Sequence, residues 1–188
     1  ACVLATHLGV EPVFVRTSWP GLDDDLRTGR FDVAISGIGF TEERAALGLY
    51  SAAYHEGGKT LLARCEDQDR FDTPAELDRP NVRVIVNPGG TNERYVREHV
   101  HQAQIVVHPD NRGVFAEIAA GRADVMVTDD VEAELQARRR PGQLCRTWPG
   151  TLTRGEKRIL MAPDPALQRV VDEWLAAAIA AGEPAREI

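Results

Sequence analysis

Asp124-Val125-Met126-Val127-Thr128-Asp129-Asp130-Val131-Glu132 reads as a β-branched strand that opens directly into a helix. The strand carries Val125 and Val127, and the helix continues to about Arg139. The same unit recurs outward from this stretch. Further strands are predicted near Val13 to Arg16, Asp32 to Ser36, Val82 to Val86 and Gln104 to Val107, and helices beginning near Leu22, Thr41, Thr91, Asn111 and Asp129. Short β-branched runs alternating with helical periodicity are the pattern of an α/β protein with mainly parallel sheets. The C-terminal pattern from Leu167 to Ala181 sets Leu167, Val170, Val171, Trp174, Leu175 and Ile179 on one helix face, a core stripe without chemistry.

Two composition breaks divide the chain. Glu66 to Pro80 is polar and holds Pro74 and Pro80, and Arg140 to Gly155 holds Pro141, Gly142, Pro149, Gly150 and Gly155. A two-lobed organisation follows, with residues 1–65 and 147–188 forming a discontinuous first lobe and residues 66–146 inserted as the second.

The 188 residues are 43% hydrophobic, 27% charged and 6% aromatic, proportions of a globular chain able to bury a core. A net charge of −7 is the wrong sign for neutralising phosphates, which argues against a nucleic-acid partner. The longest apolar run, Trp174 to Ala181, is far short of the roughly 20 residues of a membrane-spanning helix. No basic segment followed by an apolar one opens the chain, so a secretory signal is not expected within these residues. Cys2, Cys65 and Cys145 are too few for a disulfide scaffold and lack zinc-ligand spacing, leaving room for one bridge.

The chemistry concentrates in an internal echo. Thr41-Glu42-Glu43-Arg44 and Thr91-Asn92-Glu93-Arg94 each follow a strand and a glycine-bearing loop, with Gly37 and Gly39 before one and Gly89 and Gly90 before the other. Each is an ordinary helix cap, or a cradle of backbone amides for an anion. Arg44 is the sharper candidate, because a planar guanidinium makes paired hydrogen bonds to a carboxylate; Arg94 reads as a solvated residue. Asn87-Pro88-Gly89-Gly90-Thr91-Asn92 lacks the Gly-Lys-Ser/Thr ending of a Walker loop. Asp129 and Glu132 fit a capping box by spacing alone, with a buried, protonated Glu132 as general acid the alternative. Lys59, after Gly57-Gly58, reads by itself as a surface lysine, and Trp19 before Pro20 as a packing residue. The histidines show no ligand spacing, and Ser36, in Ile35-Ser36-Gly37, forms no nucleophile elbow, so neither a metal nor a serine triad is expected.

Phe31 to Gly37, Thr41 to Arg44, Asn87 to Glu93 and Ala119 to Asp129 together resemble the periplasmic amino-acid-binding protein superfamily. With Thr17-Ser18-Trp19-Pro20 and Val107 to Asn111, they are more similar to its enzymatic branch, the cyclohexadienyl (prephenate/arogenate) dehydratases. The resemblance implies a two-lobed, type II periplasmic-binding-protein-like α/β fold that closes on a small carboxylate. It implies that Arg44 binds a carboxylate, with Ser36 and Gly37 nearby, and that Gly90, Thr91 and Asn92 form the second anion contact. Glu132 is then the general acid, Lys59 its companion in the site, Trp19 an aromatic wall, and Asp129 the partner of a ligand α-amino group. It also implies a Cys65–Cys145 disulfide, an oxidising periplasmic or secreted location, and an odd thiol at Cys2. No cofactor is implied.

Two departures accompany the resemblance. The family's strand and pocket loop preceding the helix at Cys2 to Leu8 have no counterpart, so the first lobe is expected to lack its N-terminal strand; either these residues are a piece of a longer chain, or the gap is covered by a partner subunit such as a second copy, or by a rearrangement. Gly39 stands where relatives usually carry Ser. The implied activity is loss of water and carbon dioxide from prephenate to give phenylpyruvate, or from arogenate to give phenylalanine. The alternatives are an amino-acid-binding protein of a transporter and an inactive truncated relative.

Overall fold

The computed structural model describes residues 1–182. The chain divides into two units, one of Ala1–Glu56 with the segment from Gly155 onward, the other Gly57–Arg154.

The first unit holds α1 (Cys2–Leu8), α2 (Leu22–Arg27), β1 (Val33–Ala34), α3 (Glu42–Ala45) and β2 (Leu49–Tyr50), and β3 (His55–Gly57) runs from it into the second. The second holds β4 (Lys59–Arg64), β5 (Arg83–Val86), α4 (Thr91–His99), β6 (Gln104–Val107), α5 (Val114–Ala119), β7 (Val125–Asp129), α6 (Asp130–Arg139) and β8 (Leu144–Arg146). The chain then completes the first unit with β9 (Gly155–Lys157), β10 (Leu160–Met161) and α7 (Pro165–Ala180).

The second unit is built on a five-stranded sheet in the order β6-β5-β7-β4-β8. β5 runs parallel to β6 and β7, as βαβ crossovers require, whereas β4 runs antiparallel to both β7 and β8. The sheet is therefore mixed, and the first unit's sheet, β1-β10-β2, is antiparallel throughout. This corrects the expectation of mainly parallel sheets. The sequence reading had no strand at Lys59 to Arg64, and that strand's pairing with β7 and β8 also places the start of the inserted unit at Gly57 rather than residue 66.

Side-chain alternation divides the sheet's two cores. Leu61, Ala63, Val84, Val86, Val125 and Val127 join Phe71, Leu77, Val82, Val96 and Val100 on one side. Leu62, Ile85 and Met126 join Val114, Phe115, Ile118, Ala133 and Leu144 on the other. By the same alternation Lys59 and Asp129 share the face of Leu61 and Val127, which α4 covers through Val96.

The strand expected at Val13 to Arg16 does not form. Without a partner ladder, backbone groups gain nothing from a strand, and Val13 and Phe14 are 88% and 74% exposed. The apolar face of α7 is narrower than expected. Val171, Leu175 and Ala178 are buried and Leu167 and Trp174 pack beside them, while Val170 and Ile179 are exposed.

A disulfide joins Cys65 to Cys145, and Cys2 is an exposed free thiol. The bridge sits where β4 ends, beside the pairing of Ala63 with Cys145. Nearby, burial works to raise the Asp124 carboxyl, and the hydrogen bonds from Arg83 outweigh it, so the group stays below its usual value.

The turn from α4 into β6 is closed by Asp78, whose Oδ1 accepts from the amides of His101, Gln102 and Ala103 at 2.9, 2.6 and 2.8 Å. These bonds, that of Ala103 foremost, hold its carboxyl below the ordinary value. A carboxyl depressed in the folded state stabilises above its unfolded value of about 3.9 and loses that contribution as pH falls through the folded value. Asp78→Ala is thus expected to lower the thermal midpoint at pH 7, with the gap to the parent narrowing as pH falls through the carboxyl's depressed value. Melting curves across this range check it.

Candidate functional site

In the second unit, local sequence fixes where Lys59 emerges. A Cβ on Gly58 would lie 1.8 Å from the carbonyl oxygen of Thr153, so only glycine allows this approach. Lys59 then donates its backbone amide to Thr153 Oγ1 at 3.1 Å and accepts from the amide of Leu152 at 2.6 Å. Lys59 is 7% exposed, which overturns the reading of a surface lysine.

The ammonium donates to Thr91 Oγ1 at 2.9 Å and to Asn92 Oδ1 at 2.5 Å, and lies 3.5 Å from Asp129 Oδ1. Lys59 and Asp129 are direct partners across β4 and β7, and Thr91 and Asn92 open α4 above that face. Four residues singled out in the sequence therefore form one constellation. It places a buried cation against two side-chain acceptors and a carboxylate, the arrangement that makes a buried charge tolerable.

The glycine cradle differs from the expectation of exposed amides. Gly89, at φ 82°, turns the chain into α4, and its amide donates to Glu93 Oε2 at 2.7 Å. That bond leads in holding the Glu93 carboxyl below its ordinary value. Lys59 brings a positive charge to this helix start, where Gly90 is the N-cap residue.

The capping box expected of Asp129 and Glu132 does not form. Asp129 occupies the N-cap position without a side-chain cap bond and turns its carboxylate to Lys59. Asp130 Oδ1 instead accepts from the amide of Val131 at 2.9 Å. Glu132 Oε1 accepts from Gln136 Nε2 at 2.7 Å.

In the first unit, Thr41 caps α3 as expected, its Oγ1 accepting from the amide of Arg44 at 3.3 Å. Arg44 is 5% exposed. Its Nε donates to Asp23 Oδ1 at 2.7 Å, and its Cζ lies 5.9 Å from the Trp19 ring centroid. Arg44 and Trp19 are thus brought together, and one of the five guanidinium donors is committed to Asp23. Tyr50, raised by burial against the lowering influence of Arg44, donates its hydroxyl to the carbonyl of Gly39 at 3.2 Å. Ser36 and Gly37 are exposed on the turn after β1, with Gly37 at φ 52°. A Cβ on Gly39 would stand 3.8 Å from Lys157 Nζ.

Sequence reasoning missed Asp23 and Gln136. Asp23 reads as one acidic residue in Asp23-Asp24-Asp25, with nothing to single it out. Gln136 carried a usable signal, the four-residue spacing Glu132-Gln136-Arg140 on one helix. Among the described residues, no group of three or more His, Cys, Asp and Glu could hold a metal ion. No helix among them is long and apolar enough to cross a membrane.

Replacing Lys59 removes the cation and leaves Asp129, Thr91 and Asn92 facing one another. Lys59→Met is expected to cost about 1–3 kcal/mol of stability, and Asp129→Asn in the same chain to restore part of it. A double-mutant cycle on unfolding free energies checks the coupling.

Comparison with known proteins adds to this geometry. Residues 1–186 match the bacterial extracellular solute-binding proteins, family 3. A cyclohexadienyl dehydratase of Pseudomonas aeruginosa is 44% identical over 173 residues, which are 92% of this chain and 64% of that protein. Among solved structures, the ancestral amino acid-binding protein AncCDT-1, described as a precursor of cyclohexadienyl dehydratase, superposes with a TM-score of 0.83 at 32% identity, over 96% of this chain and 77% of its own. The amino acid transporter substrate-binding protein AbpA of Streptococcus pneumoniae, bound to L-arginine, gives 0.85 at 21% identity over 97% and 77%, a likeness of fold.

Proposed function

The chain belongs to the bacterial extracellular solute-binding proteins, family 3, and has their mixed α/β, two-lobed fold; within that family we propose that it acts as a cyclohexadienyl dehydratase. Its substrate is then prephenate or arogenate. Arg44, beside Trp19, is the carboxylate-binding residue of the first unit, with Ser36 and Gly37 as further contacts. Lys59, held by Thr91 and Asn92 next to Gly90, is the polar contact that the second unit offers.

Glu132 protonates the ring hydroxyl as its carbon–oxygen bond breaks, and water leaves. The bond between the ring and its carboxylate breaks in the same process, carbon dioxide departs, and the released electron pair completes the aromatic ring. Aromatisation supplies the driving force, so the protein has only to hold the substrate and deliver one proton. The observation that carries this reading is the buried Lys59 ammonium on Thr91 and Asn92, in a chain 44% identical to a cyclohexadienyl dehydratase. The disulfide and the family together support an extracytoplasmic location.

Asp129 favours a second reading. Its carboxylate, beside Thr91 and Asn92, is of the kind that pairs with an amino acid's ammonium, and AncCDT-1 is described as amino acid-binding. Incubation with prephenate, followed for phenylpyruvate, separates the two. Product formation supports the dehydratase, and tight binding of a standard amino acid without consumption of prephenate or arogenate supports the binding protein.

A further inference from the structure

Glu132, Gln136 and Arg140 stand four residues apart along α6 and its C-cap, and form a directed chain of hydrogen bonds. Gln136 is 4% exposed. Its Nε2 donates to Glu132 Oε1 at 2.7 Å, and its Oε1 accepts from Arg140 Nη1. The Arg140 guanidinium is itself placed, its Cζ 5.8 Å from the ring centroid of Phe115, which is buried.

The direction of this chain is fixed by donor chemistry. A guanidinium has only donors, so the amide oxygen of Gln136 must face Arg140 and the amide NH2 must face Glu132. A flipped amide would set donor against donor at Arg140. The Glu132 oxygen that meets Gln136 must in turn accept, whether the carboxyl is charged or neutral. When Glu132 is neutral, its proton therefore resides on Oε2.

We propose that Gln136, oriented by Arg140, is a positioning residue that keeps the acidic proton of Glu132 on Oε2. This rests on Glu132 being the general acid of the proposed dehydratase. As the proton leaves Oε2, charge builds on the carboxylate, and the bond from Gln136 to Oε1 becomes charge-assisted and strengthens. An interaction that grows between ground state and transition state raises turnover rather than substrate binding. Other charged groups on the strands packed against α6 have their own partners: Lys59 of β4 with Asp129 of β7, Arg64 of β4 with Asp67 and Asp124, and Arg146 of β8 with Glu134.

The test uses the full chain and steady-state kinetics on prephenate, with the folding of each variant checked by its melting curve. Gln136→Met keeps the side-chain length and removes both the donor and the acceptor. Its kcat is expected to fall roughly tenfold with KM little changed, because the lost bond is one that strengthens only as the proton leaves. A folded Gln136→Met protein with the parental kcat, or one whose loss lies in KM alone, overturns the proposal. If the parent turns over neither prephenate nor arogenate, the dehydratase reading falls and the positioning role falls with it. An active parent alongside an unchanged Gln136→Met kcat sinks the positioning role alone.

Discussion

Glu132→Gln is expected to bind prephenate as the parent does and to turn it over a hundred- to ten-thousandfold more slowly, the range contributed by a positioned general acid. The substitution preserves shape and keeps an acceptor for Gln136 Nε2, which in the parent meets Glu132 Oε1 at 2.7 Å. What it removes is a dissociable proton. Binding measured by calorimetry therefore separates from turnover measured by phenylpyruvate release. Equal turnover in the two proteins would take Glu132 out of the mechanism. Loss of binding together with turnover would give it a structural part instead.

Removing the bridge has the largest expected effect on stability. Cys65 and Cys145 are 80 residues apart in sequence, so their covalent link closes a loop spanning most of the second unit. In the chain-entropy account, closing a loop of that length is worth about 4 kcal/mol. Cys65→Ser with Cys145→Ser is then expected to lower the melting temperature by roughly 10 °C for a chain of this size, and reduction of the parent to do the same. A shift under ~2 °C would mean that loop closure is not what the bridge contributes.

How much of this was legible beforehand follows from what each signal depends on. β5, β6 and β7 announce themselves as β-branched runs, and α4 and α6 by the residues that open them, so the sheet-and-helix core of the second unit was readable. β4 was not. Lys59-Thr60-Leu61-Leu62-Ala63-Arg64 is buried on both faces and shows no alternation, the composition of a central strand that local pattern cannot distinguish from a short helical run. The strand at Val13 to Arg16 shows the converse. Val13, Phe14 and Val15 have strand propensity, and propensity without a neighbour to pair with yields no ladder.

The site divides in the same way. Arg44 was singled out by its chemistry at a helix start, and it is buried against Asp23 and Trp19. Lys59 looked like any exposed lysine because its burial depends on residues 32 and 33 positions further along the chain. The capping-box spacing of Asp129 and Glu132 was present in the sequence, yet Lys59 draws Asp129 across the sheet and Gln136 draws Glu132 along the helix. A spacing rule weighs only local partners, and in both cases a non-local or longer-range partner of better charge or donor match prevailed.

β4 has neighbours on both sides, its ammonium-bearing residue at one end and the bridging cysteine immediately past the other. Because its side chains alternate strictly, inserting or deleting a single residue within it would turn position 59 over to the opposite face and exchange its two cores at once. Exchange of one side chain for another at position 59 carries no such penalty. The chemistry presented at position 59 can therefore diversify by substitution alone, while the strand's length is locked from generation to generation.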